Sequence, residues 1–327
     1  MNNFAPSGMN FPKCSKGETS PTSAGEVDPL PHLPLLAASL LDQFQYEEGE
    51  FVVTDSMKNA FKEDGYTLVR GLFSKEEVAH IEKAILAGPF LDHTYGVADG
   101  DGREAHMILW NHPGVDVTGM VARCEKVAGG CEQLLGGEVY HYHTKLMKKP
   151  AKIGGKHIWH QDYGYWYNNG CLFPNMMTVF IAIDKCKKDN SCLQVLKSSH
   201  KCGRIEHVRV GNQVGADVSR VEEISNVCPL QFVEMEPGDA LFFDCNLLHC
   251  SSANMSEDRR WAFLCAYNRV DNNPTKEHHH PRYTPLDKVP NSAVLECQEF
   301  MNMDGKWFHS VEKEKQTLAS VSTENRN

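Results

Sequence analysis

The chain has 327 residues, 41% of them hydrophobic and 23% charged, enough for one large domain with a sizeable core. Its 33 Lys and Arg stand against 43 Asp and Glu, and the formal charge of −10 argues against a nucleic-acid binder, whose phosphate contacts need basic faces. No apolar run reaches the roughly 18 residues of a membrane span, and the start of the chain lacks the charged and apolar segments of a secretory signal. The expectation is a cytoplasmic protein with no membrane partner. The 12 cysteines are scattered without a CxxC pair, so they read as reduced thiols and not as a disulfide framework or zinc ribbon.

Residues 1–32 are rich in Ser, Pro, Gly, Asn and Thr and cannot bury enough surface to order alone; with the Leu-rich 33–41 they read as a flexible arm over 1–45. Thr54 or Asp55 caps a helix whose Met57, Ala60 and Phe61 share a face, and Gly65 ends it. A strand follows over 66–70. Ser74 and Glu77 form a capping box, with Phe73 and Val78 as its staple, opening a helix that turns Val78, Ile81 and Ile85 inward.

From residue 139 onward the pattern changes to short β-branched and aromatic runs, at 139–147, 178–183, 193–196, 230–235, 240–243 and 261–267. Glu236-Pro237-Gly238-Asp239 is a turn between two of them. Helices first and many short strands after predict a mainly β protein with flanking helices, a double-sheet jelly roll. The polar stretch 211–227 reads as a long loop, and the tail from about Glu312 as frayed.

The chemistry centres on Trp159-His160-Gln161-Asp162, with His249 far downstream and Arg260 soon after it. In a strand His160 and Asp162 leave the same face and Gln161 the other, and His249 joins them if two sheets fold over one another. Two imidazoles and one carboxylate with open positions suit a non-heme iron site. The guanidinium of Arg260 offers a bidentate fork for a carboxylate, and Ser251 a hydroxyl beside it.

These motifs, with NSCLQVLKSSH at 190–200, PGDALFF at 237–243 and HCS at 249–251, resemble the phytanoyl-CoA dioxygenase family over roughly residues 51–268. The resemblance implies a cupin-like double-stranded β-helix holding Fe(II) on His160, Asp162 and His249. It further implies 2-oxoglutarate as co-substrate on Arg260, O2 as oxidant, and hydroxylation of a small-molecule or acyl substrate with release of succinate and CO2. Lys145, Thr178 and Phe180 fall on strands where similar proteins place co-substrate contacts. The oxygenase domain then spans 46–275 and a C-terminal extension 276–327. Three departures stand out. Lys197-Ser198 replaces a Pro-Gly, Asp244 replaces a frequent His, and Met147 replaces a polar residue of ectoine-acting relatives.

Tyr163 and Trp166, directly after the first two ligands, read equally as a wall over the substrate and as core packing. Lysines 145, 148, 149, 152 and 156 read as a solvated face before a grip on a phosphate-bearing carrier. His278, His279 and His280 read as exposed or as an adventitious metal site. The alternative to an oxygenase is a non-catalytic jelly-roll ligand-binding protein that keeps the pocket. Substrate identity and oligomeric state are not written in the sequence.

Overall fold

The computed structural model describes residues 42–47 and 49–310, so the expected arm up to residue 41 and the tail from Glu312 lie outside the described residues. Strand β1 (Gln43–Gln45) runs parallel to β2 (Tyr66–Arg70). Between them, α1 (Asp55–Asp64) starts where the Thr54 hydroxyl accepts from the Met57 N–H at 3.2 Å and stops at Gly65, whose φ of 86° suits glycine. Helix α2 (Lys75–Ile85) opens with the reciprocal cap: Glu77 N donates to Ser74 Oγ at 3.2 Å, and Ser74 N donates to the Glu77 carboxylate at 2.8 Å.

Then come β3 (Tyr95–Ala98), β4 (Glu104–Asn111) and the short helices α3 (Val117–Arg123) and α4 (Gly130–Leu135). The central run is β5 (Val139–Lys149), β6 (His157–His160), α5 (Asp162–Trp166), β7 (Met176–Ala182), β8 (Leu193–Leu196) and β9 (His207–Val210). It continues through β10 (Gln213–Ala216), α6 (Val218–Ser225), β11 (Leu230–Val233), β12 (Ala240–Asp244), β13 (His249–Ser251) and β14 (Arg260–Arg269). Helix α7 (Ala293–Glu296) and β15 (Trp307–Phe308) close the described chain.

The stretch 211–227 is therefore not a loop. Its few apolar residues suffice because Ala216, Val221 and Ile224 all enter one small core, and Asp217 caps α6 by accepting from Arg220 N at 3.0 Å.

The strands form a nine-stranded sheet, in the order β1-β2-β12-β7-β14-β5-β4-β15 with β3 on β4, and a four-stranded sheet, β11-β8-β13-β6. Side-chain alternation in the large sheet sets its two faces. Val179 and Ile181 of β7, Phe242 of β12 and Phe263 and Cys265 of β14 enter the core that also holds residues of the helices, while Phe180, Leu241, Phe243 and Leu264 enter the core shared with β8 and β11. The fold is thus a double-stranded β-helix with α1–α4 and α7 padding one outer face of the large sheet. Residues after 275 pack on the same body: Val294 of α7 is in the helix-side core and β15 pairs with β4. Among the described residues the cysteines are free thiols, and no helix is long and apolar enough to cross a membrane.

Candidate active site

His160 ends β6 and His249 begins β13, and the two are direct cross-strand partners with ring centroids 4.0 Å apart. Asp162 is not in the strand: it opens α5. Gln161 between them keeps an extended backbone (φ −113°, ψ 138°), so the carboxylate still returns to the side of the imidazoles. One ligand atom from each of His160, Asp162 and His249 lies within 4.8 Å of the others, and all three residues are buried.

Each ligand is pre-set by a hydrogen bond on its far side. His160 Nδ1 donates to the Ile158 carbonyl at 2.8 Å and His249 Nδ1 to the Leu247 carbonyl at 2.9 Å. A carbonyl only accepts, so Nδ1 carries the proton and Nε2 keeps the lone pair. Burial, with His249 next to it, holds His160 well below the ordinary imidazole pKa, and burial lowers His249 too. Burial alone would raise Asp162, but Lys145 3.8 Å away, His249 and a hydrogen bond from Thr178 Oγ1 at 2.6 Å keep its carboxyl below the usual range. Two neutral imidazoles and a carboxylate, all in their metal-binding forms, fit a divalent iron.

Gln161 is the hidden brace of this arrangement. It is fully buried, its amide donates to the carbonyls of Gly203 (2.8 Å) and Asn246 (2.7 Å), and its oxygen accepts from Ile205 N at 2.7 Å. Its own N–H donates to His207 Nε2 at 3.0 Å.

Arg260 opens β14 and lines the same cavity as the triad. It is 2% exposed; Nη2 donates to the Ser191 carbonyl at 2.8 Å, while Nε is buried without a partner. A buried guanidinium with an unused donor, on a residue that lines the cavity, fits the far carboxylate of 2-oxoglutarate. Ser251 and Phe180 line the cavity beside it, with the Arg260 guanidinium 5.7 Å from the Phe180 ring. Lys149, its partner across β5, is also buried and donates to Ser191 Oγ at 2.9 Å and to the Ser252 carbonyl, fixing the loop that Arg260 grips.

Strand parity splits the lysine run instead of leaving it a solvated face. Lys145 faces Asp162 and Lys149 is buried, whereas Lys148 donates to Thr94 Oγ1 at 2.9 Å and Lys152 and Lys156 pair with Glu257 and Asp101 outside. Tyr163 and Trp166, one helical turn apart on α5, both join the core cluster with Tyr140 and Met176, and of the two Trp166 also lines the cavity. Thr178 serves Asp162.

The site also contains residues the sequence reading passed over. A β-bulge at Tyr142, where β5 gains a residue between His141 and His143 against β14, sets Tyr142 and His143 towards one side, their rings 5.4 Å apart. His279, His280 and His309 line the cavity as well. The expected exposure of the three consecutive histidines fails for His280, which is buried with its ring 4.9 Å from His143. The alternating Tyr-His-Tyr-His ahead of Lys145 was the one sequence signal for this wall.

A double-stranded β-helix with two histidines and an aspartate converging between its sheets, and a buried arginine beside them, defines a non-heme iron oxygenase architecture. The family model for phytanoyl-CoA dioxygenase (PhyH) matches residues 61–262. The chain is similar to an L-proline trans-4-hydroxylase of Streptomyces griseoviridis, 31% identical over 54% of this chain and 71% of the relative. It is also similar to an ectoine dioxygenase of Sphingopyxis alaskensis, 27% identical over 65% and 75%. Its fold matches the crystal structure of EctD from S. alaskensis with 2-oxoglutarate and 5-hydroxyectoine, at a TM-score of 0.63 and 23% identity, over 76% of this chain and 91% of that one. The chain belongs to the phytanoyl-CoA dioxygenase family, and it is an Fe(II)- and 2-oxoglutarate-dependent oxygenase.

Proposed function

We propose that this oxygenase hydroxylates an unactivated C–H bond of a small molecule, with Fe(II) on His160, Asp162 and His249 and the far carboxylate of 2-oxoglutarate on Arg260 and Ser251. The observation that carries the assignment is the convergence of the three ligand atoms within 4.8 Å, each already oriented by a second hydrogen bond or, for Asp162, by Thr178. Bound there, iron and 2-oxoglutarate supply the oxygen-activating chemistry that puts one oxygen atom of O2 into substrate and the other into succinate, with loss of CO2.

The chain's own residues do the rest. Phe180 and Leu264 give the co-substrate end apolar walls that exclude water, and Arg260 fixes the diacid's direction. Lys145 offsets the charge of Asp162 without taking a coordination position. Trp166, Tyr95 and Met107 wall the rest of the cavity. Among the described residues lining it, Asp162 is the one acid, against Lys145, Arg260 and several imidazoles, which favours a substrate bearing an anionic or neutral polar group over a cationic one. The proline and ectoine named for the two relatives are both small molecules, and a substrate of that size is the reading adopted for this chain.

The test is anaerobic reconstitution of the full chain with Fe(II) and 2-oxoglutarate, followed by oxygen and a metabolite extract. A product heavier by one oxygen, formed with equimolar succinate, supports the proposal. Succinate formation that continues undiminished in Asp162→Gly overturns it.

A further inference from the structure

At the edge of the cavity, which His279 and His280 line, sits a second group of side chains of metal-binding type that the oxygenase reaction does not use. One ring nitrogen from each of His278, His279 and His280 lies within 4.8 Å of the others, the same spread as in the iron triad. Ring centroids of His278 and His279 are 3.8 Å apart and those of His279 and His280 are 4.2 Å apart. Three imidazoles this close repel one another if charged, and no acid other than Asp162 lines the cavity among the described residues to neutralise them. Three neutral rings at this spacing can instead offer their lone pairs to one ion.

The surroundings repeat the device seen at the iron triad. His280 Nδ1 donates to Asn111 Oδ1 at 3.2 Å, which leaves Nε2 as the ring's lone-pair atom, and the Asn111 amide returns a hydrogen bond to the His279 carbonyl. One asparagine thus fixes both the ring and the backbone of the group, as partners behind metal-bound histidines do. Next to it the bulge at Tyr142 aims His143, which is 2% exposed and has no hydrogen-bond partner for either ring nitrogen. A buried imidazole left unpaired is unfavourable until something engages it.

We propose that His278, His279 and His280 form a second divalent-metal site at the wall of the oxygenase cavity, with His143 as a neighbouring donor to the ion or to its bound water. An all-imidazole set without carboxylate or thiolate suits Zn2+, Cu2+ or Ni2+ and not Mg2+ or Ca2+. Three protein ligands leave a position open, and because His279 and His280 line the cavity, an ion there faces its interior.

The test counts metal on the full chain. After Zn2+ loading and dialysis, the wild type is expected to retain two equivalents, the His278→Ala/His280→Ala double variant one, and Asp162→Gly one. Co2+ substitution is expected to give a tetrahedral absorption signature that disappears in the double variant. His280→Gln, which keeps a polar side chain in place, serves as a second variant and is expected to weaken the same equivalent while the other remains, reporting an intact fold. Zn2+ retention that is the same in the double variant as in the wild type overturns the site. An equivalent removed by the double variant but untouched by Asp162→Gly supports it even if the iron assignment fails.

Discussion

Thr178 on β7 donates a 2.6 Å hydrogen bond to Asp162 Oδ2, so one oxygen of the ligand carboxylate is held by the large sheet while the residue itself belongs to the turn after β6. The bond ties the two walls of the β-helix together at the proposed metal site. Partners of this kind are commonly worth about 10–100-fold in metal affinity. Thr178→Val is expected to weaken Fe(II) or Co2+ binding by roughly that factor, and Thr178→Ser to keep most of it. Metal titration followed by succinate assay at saturating metal separates the two effects: restored turnover at high Fe(II) marks the loss as one of affinity.

Arg260 makes a different prediction, because its proposed contact is with the co-substrate. Removing one partner of a buried charge pair costs about 2–5 kcal/mol, so Arg260→Ala is expected to raise the KM for 2-oxoglutarate by about thirtyfold or more. Metal affinity should stay at the wild-type value. Arg260→Lys keeps the charge but loses the fork, and an intermediate KM is expected. Unchanged 2-oxoglutarate dependence in the alanine variant would place the diacid elsewhere.

How much of this was legible in the sequence differs between the two sheets and between the two ends of the cavity. The capping box at Ser74 and Glu77 and the runs that became β5, β7, β8, β12 and β14 were readable because their signals are local: a cap, a staple, or apolar residues covered on both faces. The convergence of His160, Asp162 and His249 was readable because the three sit in a short motif and a strand end. Asp162 nevertheless moved from strand to helix, since an extended Gln161 does not oblige the next residue to stay in the ladder. His143 and His280 were not readable. Their meeting depends on a one-residue bulge that reverses strand parity and on a segment beyond residue 275 that folds back over β4 and β5. Gln161 was assigned only a direction, because four hydrogen bonds to distant backbone groups and one histidine leave no trace in spacing.

That brace carries a stability prediction. Gln161→Leu fills similar volume but strands the Gly203 and Asn246 carbonyls and the Ile205 N–H in the interior. Each buried group left unpaired costs about 1–3 kcal/mol, so chemical denaturation should show a loss of several kcal/mol even in metal-free protein. A loss confined to the metal-loaded form would assign Gln161 to ligand positioning alone.

Asp244, which departs from the family's frequent histidine, predicts a pH effect. Burial pushes its carboxyl up to about 6, against the one hydrogen bond it accepts from Asn246 N at 2.7 Å. The folded state therefore binds this proton more tightly than the unfolded chain, so Asp244 favours folding most below the unfolded value of 3.8 and loses that contribution as pH rises to about 6. At pH 7 the ionised side chain costs on the order of 3 kcal/mol. Asp244→Asn keeps the acceptor and removes the charge, so its melting temperature should exceed the wild type's at pH 7 and match it near pH 4. Equal gains at both pH values would mean that packing, not ionisation, is responsible.

Lys306 decides whether the residues after 275 are an appendage or part of the fold. Its side chain is 0% exposed and forms an ion pair with Asp116, itself 2% exposed, and a 2.9 Å hydrogen bond to Thr118 Oγ1 at the start of α3. Asp116 also accepts from Gly119 N at 3.1 Å and Asn302 N at 2.9 Å, so the carboxylate joins the helix cap to the returning chain. Removing one member of such a pair strands the other charge and costs about 3–5 kcal/mol, whereas replacing both costs less. Lys306→Met is expected to lower stability by about that amount, and Asp116→Asn/Lys306→Met to recover part of it. A chain ending at residue 275 loses the pair, α7 and β15 together, and is expected to yield no cooperative unfolding transition; a folded and active product of that length would make residues 276–310 dispensable to the oxygenase.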